Sequence, residues 1–329
     1  MRDRVFSGAR PTGKQHIGNY LGAIQNYVSL QADCDCIYCV VDLHALTTLT
    51  ETANLRENVK EMVLDWLAAG LDPQSSILFV QSSVPEVTEL HLLFSMVTPM
   101  GRLLRVPTFK EKVRQQPDNV NYGLLGYPVL QAADILLYKA SVVPVGEDQL
   151  SHLELTREIA RRFNNLYAPV FPEPRAQLTS SPLVRGIDGA QKMSKSLDNH
   201  IELSATPEET ERRVRSMVTD PARIYRTDPG HPEVCNVFTL HGFYSAQHVQ
   251  QIEVDCRRAA IGCVDCKKLL AKNLNASLAP FRQQRSEFAA RPGLVDEVLF
   301  DGARRARQIA RQTITEAREA INLPPMPAG

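Results

Sequence analysis

The chain has 329 residues, with 37 basic and 37 acidic side chains and a mean hydropathy of −0.21. That length suffices for one large or two modest domains. Balanced charge excludes a global pull toward nucleic acid or membrane, so an RNA partner needs a local basic face, and no apolar run reaches the ~20 residues of a membrane span.

The first residues, Met1-Arg2-Asp3-Arg4, enter a strand without the apolar core of a signal peptide, and a cytoplasmic protein is expected. In that compartment the seven cysteines are thiols or metal ligands rather than disulfides. The run Val5-Phe6-Ser7-Gly8 reads as a strand, followed by a glycine-bearing turn and a helix from near Tyr20. The stretch between them, Arg10-Pro11-Thr12-Gly13-Lys14-Gln15-His16-Ile17-Gly18-Asn19, puts a helix start where backbone N–H groups and the dipole suit phosphate. His16 adds a donor, and Gly18 permits close approach. Taken alone, the same residues also suit an ordinary strand-to-helix turn.

Further along, Cys36-Ile37-Tyr38-Cys39-Val40-Val41 predicts a strand covered on both faces. Leu55, Val59, Met62, Val63, Trp66 and Leu67 form one helical stripe, with Gly70 as its stop. Ser76–Val80 reads as a strand, about 86 to 97 as helix, 127 to 138 as helix, and 142 to 145 as a short strand. Gly146-Glu147-Asp148-Gln149 opens a helix running to about Phe163. This alternation predicts an α/β fold: a Rossmann-like, doubly wound parallel sheet with ligand at the carboxyl ends of its strands.

Pro-rich turns over 168–182 and a Gly/Asp-rich loop at 186–189 mark a change, after which strand signals thin out. The stretches 208–217, 249–260, 266–278 and 294–321 read as helices, the last with six arginines between Arg291 and Arg318. The expected division is a catalytic domain over 1–189 and a helical domain over 190–290, with a final helix over about 291–329 that returns to the first.

His16-Ile17-Gly18-Asn19 and Lys192-Met193-Ser194-Lys195-Ser196 together resemble the paired signatures of class I aminoacyl-tRNA synthetases. The chemistry suits them. Adenylate formation sets a carboxylate against the α-phosphate of ATP, and charge builds on the departing phosphates, where lysines stabilise it. The resemblance implies catalytic roles for His16, Asn19, Lys192, Lys195 and Lys112. It implies an ATP site of Arg10, Thr12, His16, Gly18, Asn19, Gly146, Asp148, Lys192, Met193, Ser194, Lys195 and Ser196, with Mg²⁺ accompanying ATP. The family's first signature usually ends in His; here Asn19 can donate a hydrogen bond but carries no charge.

Tyr127-Pro128-Val129-Leu130-Gln131-Ala132-Ala133-Asp134-Ile135 and Val143-Pro144-Val145-Gly146-Glu147-Asp148-Gln149 resemble the tryptophanyl branch, as does Phe6-Ser7-Gly8. On a helix, Tyr127, Gln131 and Asp134 share one face. A carboxylate amid apolar residues needs a donor. The resemblance implies that Asp134 takes the indole N–H, that Tyr127 and Gln149 meet the amino group, that Gln131 lies with them, and that Phe6, Val143 and Val145 wall the ring. The tyrosyl branch is the near competitor, but Phe6 stands where it typically carries a hydroxyl. His44, just past the carboxyl end of the second strand with Asp42, is placed to line the pocket but receives no role.

Cys235, Cys256, Cys263 and Cys266 form C-x20-C-x6-C-x2-C, a set that suits zinc, a [4Fe–4S] cluster or buried free thiols. The run 261–270 resembles a tryptophanyl branch carrying [4Fe–4S], which favours iron–sulfur over zinc. Cys34, Cys36 and Cys39 sit on a strand whose side chains alternate, and are expected to be structural. The resemblance as a whole implies ATP-dependent activation of tryptophan, transfer to tRNA(Trp), and a homodimer with no membrane contact. A small-molecule adenylyltransferase and a non-catalytic RNA-binding relative are the alternatives from other classes.

Overall fold

The structure, a computed structural model, describes residues 2–115, 117–178 and 183–325. Of the Pro-rich turns expected over 168–182, residues 179–182 lie outside the described residues, as do 326–329 of the final segment. Five parallel strands form one sheet: β1 (Arg4–Ala9), β2 (Asp35–Val40), β3 (Ser76–Val80), β4 (Val142–Val145) and β5 (Arg175–Leu178). Their order is β3-β2-β1-β4-β5. The chain winds outward from β1 through β2 to β3, then crosses back to β4, so the switch point lies between β1 and β4. Register pairs Phe6 with Ile37, Tyr38 with Leu78, and Val143 with Ala176.

The crossovers are helical. Between β1 and β2 come α1 (Ile17–Asn19), a π turn over Tyr20–Ile24, and α2 (Gln25–Leu30). The short α3 (Asp42–Ala45) and α4 (Leu55–Ala68) lead to β3. Next are α5 (Glu86–Val97), α6 (Met100–Leu103), α7 (Pro107–Gln115) and α8 (Tyr122–Leu137), then β4, and α9 (Leu150–Leu166) before β5. The remainder is helical: α10 (Pro207–Ser216), α11 (Asn236–Tyr244), α12 (Val249–Arg257), α13 (Cys263–Ala289) and α14 (Leu294–Ala320).

Alternate strand residues feed two cores. Phe6, Ile37 and Phe79 face α5, α8 and α9 through Phe94, Leu136 and Phe163. Val5, Tyr38 and Leu78 face the other way, against Ile24, Tyr27, Met62 and Trp66 of the π turn, α2 and α4. Burial on both faces is why β2 is apolar without a break from Cys36 onward. A third core joins Ile17 and Ala68 to Met193, Ile201, Leu240, Leu270 and Leu274, so the helical part packs directly on the first signature.

Local sequence accounts for the helix starts. Thr206 accepts from Glu209 N with Pro207 following it, and Asn121 accepts from Leu124 N, starting α8 five residues before the expected Tyr127. β5 was not expected. It lies at the sheet edge and reads Arg-Ala-Gln-Leu, too polar for an apolar-run criterion. α11, also unexpected, is nearly apolar around its circumference and has no stripe to detect.

α14 packs Ala306, Ala310, Ile314 and Ala317 into the sheet's first core. Gly302 is on the same stripe, and a Cβ there would lie 1.8 Å from the Leu78 carbonyl oxygen. Helix and strand backbones therefore touch. Gly302→Ala is expected to cost about 1–3 kcal/mol or more through overpacking. A urea midpoint equal to that of the parent protein would show that the contact yields freely.

Candidate active site

The carboxyl ends of β1 and β4 open on a cavity of about 510 Å³. Its lining includes Phe6, Arg10, Lys112, Tyr127, Gln131, Asp134, Val143, Val145, Gly146, Gln149 and Lys192. The site residues drawn from distant stretches of sequence thus share one chamber. Phe6 stacks on Tyr138 with ring centroids 5.5 Å apart, which fixes the chamber's floor.

Asp134 is 2% exposed, and its carboxylate is already held. Gln81 Nε2 donates to its oxygens at 2.9 and 2.8 Å, and His44 Nε2 lies 2.9 Å from Oδ2. A carboxylate has about four lone-pair sites, so capacity remains for a further donor. Tyr127 hydroxyl meets Thr108 Oγ1 at 2.5 Å and His152 Nε2 at 3.2 Å, and Lys112 Nζ sits 3.7 Å above the Tyr127 ring. Burial and the Lys112 charge lower the His152 pKa to about 4, which keeps the imidazole neutral near pH 7. Gln149 donates from Nε2 to Asp148 Oδ2 at 2.7 Å. Gly146 is confined by the same residue, since a Cβ there would meet Asp148 Oδ1 at 2.7 Å.

Beside the cavity, the two signature segments pair. Ile17 N donates to Ile201 O at 3.0 Å and Leu203 N to Gln15 O at 2.9 Å, an antiparallel bridge centred on His16 and Glu202. Lys195 Nζ donates to Thr12 O at 3.2 Å and lies 3.7 Å from Glu202 Oε1. The Met193 side chain turns into the third core under Gly18, so it does not face the cradle; a Cβ on Gly18 would be 3.2 Å from Met193 Cβ. Ser194 N donates to Asn199 Oδ1 at 2.7 Å, and the Ser194 and Ser196 hydroxyls are 2.9 Å apart, which shapes the second signature loop.

His16 is the N-cap of α1. Its Nδ1 accepts from Asn19 N at 3.2 Å, while Asn19 Oδ1 accepts from His16 N at 3.1 Å. Asn19 therefore orients His16 through a reciprocal cap. An accepting Nδ1 leaves the proton of the neutral ring on Nε2. Burial lowers the His16 pKa to about 4, helped by nearby His200, Lys195 and Lys192. The imidazole is thus a neutral donor near pH 7, and no base is required of it. Arg10, which also lines the cavity, is anchored by Nη2 to Thr48 Oγ1 at 2.6 Å.

The four cysteines of the helical part gather at the cap of α11, the last turn of α12 and the first turn of α13. Burial and the neighbouring Cys235, Cys256 and Cys263 push the Cys266 thiol up to about 12. Burial also raises Cys256, against the pull of Arg223, whose Nη1 lies 3.9 Å from its Sγ. Cys266 Sγ is 3.3 Å from His241 Nε2. Among the described residues, no group of three or more His, Cys, Asp or Glu side chains is arranged to hold a metal ion. The expected four-sulfur set is brought together, but not into an ion-ready geometry. Soft sulfur donors match iron–sulfur or zinc in chemical type, whereas their arrangement does not. Of the arginines on α14, Arg307 and Arg311 go to Glu86, Arg318 to Glu89, and Arg305 to the Pro73 carbonyl. They brace the helix against the sheet side of the molecule.

Residues 2–279 match the family model described as tRNA synthetases class I (W and Y). A tryptophan–tRNA ligase of Thermotoga maritima is 49% identical, covering 97% of this chain and 99% of that protein. Another, from Aquifex aeolicus, is 42% identical, covering 98% of this chain and 100% of that protein. The chain belongs to the tryptophan–tRNA ligase family. Its fold agrees with a solved tryptophanyl-tRNA synthetase from Campylobacter jejuni complexed with ADP and tryptophan. The two superpose with a TM-score of 0.87 at 34% identity, covering 97% of this chain and 100% of that one.

Several side chains around the synthetase cavity were not predicted: Gln81 follows β3, Thr108 lies on α7 and His152 on α9, while His44 on α3, placed near the pocket by its position after β2, does line it. Each comes from a separate element, so no spacing in the sequence links them to Asp134 or Tyr127. The environment of His16 has a direct readout. In a ¹⁵N NMR titration its ring is expected to stay neutral until about pH 4. Replacing Lys195 by Met removes a positive neighbour and should raise that midpoint. An ordinary midpoint near 6.5 would contradict the burial and charge arrangement.

Proposed function

We propose that the cavity takes L-tryptophan and that the adjoining signature cradle takes the triphosphate of MgATP. The observation that carries this reading is the direct pairing of residues 15–17 with 201–203, which sets His16 and the two lysines beside a chamber containing a buried carboxylate. The reaction is ATP-dependent tryptophan activation followed by charging of tRNA(Trp). A tryptophan carboxylate oxygen bonds to the α-phosphorus as the bond from that phosphorus to the bridging β-oxygen breaks. Pyrophosphate leaves with the electron pair. A hydroxyl of the terminal ribose of tRNA(Trp) then takes the acyl group, and AMP departs.

In this reading the substrate's own carboxylate is the nucleophile, and the protein contributes position and charge. Lys192 and Lys195 stabilise the departing phosphates, with Lys112 and Arg10 at the cavity side. His16 donates Nε2–H, and Asn19 keeps that ring oriented. Gly18, Thr12 and the backbone of Met193, Ser194 and Ser196 frame the phosphates, while Gly146 and Asp148 lie at the nucleoside end. Mg²⁺ arrives on ATP and offsets phosphate charge. Asp134, steadied by Gln81 and His44, accepts the indole N–H. Tyr127, Gln131 and Gln149 meet the amino-acid end, between walls of Phe6, Val143 and Val145. A tyrosine substrate has no indole N–H for Asp134, and Phe6 gives its phenol no hydroxyl partner.

Tryptophan-dependent ATP–pyrophosphate exchange tests the assignment. Lys195→Ala should lower kcat by about 10²-fold, with the tryptophan KM within about twofold. Asp134→Asn should mainly raise the tryptophan KM and erode preference over tyrosine and phenylalanine. Exchange supported equally by tyrosine in the parent protein would overturn the pocket reading.

Four finer readings accompany this one. The division into a catalytic region, 1–189, and a tRNA-facing helical region, 190–290, is supported by the sheet ending with β5 and only helices α10 to α13 following it among the described residues, with one apolar cluster shared across the boundary. The work is cytoplasmic, and no helix among the described residues is long and apolar enough to cross a membrane. Cys235, Cys256, Cys263 and Cys266 hold a [4Fe–4S] cluster, with zinc as the alternative; their gathering beside Arg223 supports it, and ligation would require the raised thiols to lose protons. A homodimer is supported by the exposed apolar side chains Leu92, Met96 and Met100. Anaerobically purified protein should be brown, absorb near roughly 400 nm, and scatter light as two chains of 36.7 kDa. A colourless sample with stoichiometric zinc, or the mass of a single chain, excludes the corresponding reading.

A further inference from the structure

Asp65, on α4, is fully buried, and its two oxygens face different parts of the chain. Oδ2 accepts the backbone N–H of Gln15 at 2.5 Å. Oδ1 accepts from Arg285 Nε at 2.5 Å. Arg285 reaches over from α13, and its Nη2 donates to Glu61 Oε2 at 2.6 Å, one turn before Asp65 on α4. The arginine side chain is 15% exposed. An ion pair buried this deeply adds little net stability, because desolvating both charges offsets their attraction. Its geometry is the more informative property.

The geometry bears on the residue just before His16. Gln15 is 3% exposed. Its N–H goes to Asp65, its carbonyl accepts from Leu203 N at 2.9 Å, and its side-chain amide donates to Gly13 O at 2.6 Å. Gln15 is therefore held from α4 on one side and from the segment after the second signature on the other. A buried amide that loses its acceptor costs about 1–3 kcal/mol. Without the Asp65 carboxylate the turn would move to recover that bond, and His16 would move with it.

We propose that Asp65 and Arg285 are positioning residues for adenylate formation. Arg285 orients the Asp65 carboxylate, Asp65 pins the Gln15 amide, and the pinned turn aims His16 Nε2 at the phosphates. Neither residue touches substrate. The proposal rests on the assignment of His16 made above. It also links the two parts of the molecule: α13 carries Cys263 and Cys266 in its first turn and Arg285 about 33 Å further along.

The test is steady-state pyrophosphate exchange on the full chain, with tryptophan affinity measured separately by calorimetry without ATP. Asp65→Asn keeps the size but replaces one of the two acceptors with a donor. Arg285→Met keeps the stem and removes the fork. Each should lower kcat by on the order of 10- to 100-fold, the scale of a small misplacement of a reacting group. Tryptophan Kd should stay within about twofold of the parent value. The double variant should be no worse than the worse single one, since the two act as a unit. Arg285→Lys keeps the charge and should recover part of the loss. A parent-like kcat in D65N and R285M, whatever their melting temperatures, would reduce the pair to a structural tie. Multiplying losses in the double variant, or R285K as slow as R285M, would also overturn the proposal. These results leave tryptophan activation intact; a parent protein inactive in exchange would instead sink the functional reading and this proposal with it.

Discussion

The site depends on a short antiparallel contact between two segments far apart in sequence. Residues 15–17 and 201–203 share two backbone hydrogen bonds around His16 and Glu202. That contact buries Met193 beneath Gly18 and brings Lys195 to the Thr12 carbonyl. It also sets the electrostatics. A histidine enclosed by this pairing, with two lysines nearby, stays neutral far below its ordinary range. Positive charge beside the cavity is therefore carried by the lysines, and the neutral imidazole is left as an oriented hydrogen-bond donor.

The sheet supplies the second half of the arrangement. Reversal of strand order between β1 and β4 leaves a crevice that neither crossover fills. Its walls are apolar because Phe6, Val143 and Val145 belong to strands buried on both faces. Within those walls Asp134 keeps one orientation, gripped by Gln81 and His44. That grip fixes where the remaining lone pairs of the carboxylate point, so the cavity is offered an oriented acceptor. Three elements meet in that grip: Gln81 after β3, His44 on α3 and Asp134 on α8.

Legibility of the molecule in its sequence followed burial. β1 to β4 could be read as apolar runs because a parallel sheet covered on both sides demands them. β5 could not, since an edge strand tolerates Arg175 and Gln177. The pair of signatures was legible because each is contiguous, and Tyr127, Gln131 and Asp134 because one helix face repeats every three or four residues. Gln81, Thr108 and His152 had no such mark, each arriving from its own element, and His44 was legible as a pocket neighbour but not as a partner of Asp134. The cysteine spacing identified four sulfurs that do gather, yet spacing carries no information on whether they converge on one ion. The arginine count of α14 did not by itself say where those side chains go. In the structure most of them are taken up by Glu86, Glu89 and backbone carbonyls.

The docking of α14 on β3 has a bearing on how the molecule is made. Arg305 closes onto the Pro73 carbonyl, 232 positions earlier in the chain, and Gly302 presses against Leu78. During translation, β3 leaves the ribosome long before the helix that covers it. Part of an apolar sheet face therefore waits, bare, for most of the elongation time. A nascent chain in that state is a natural client for a holdase, and a message cut short before α14 yields a product with an open face rather than a smaller working enzyme.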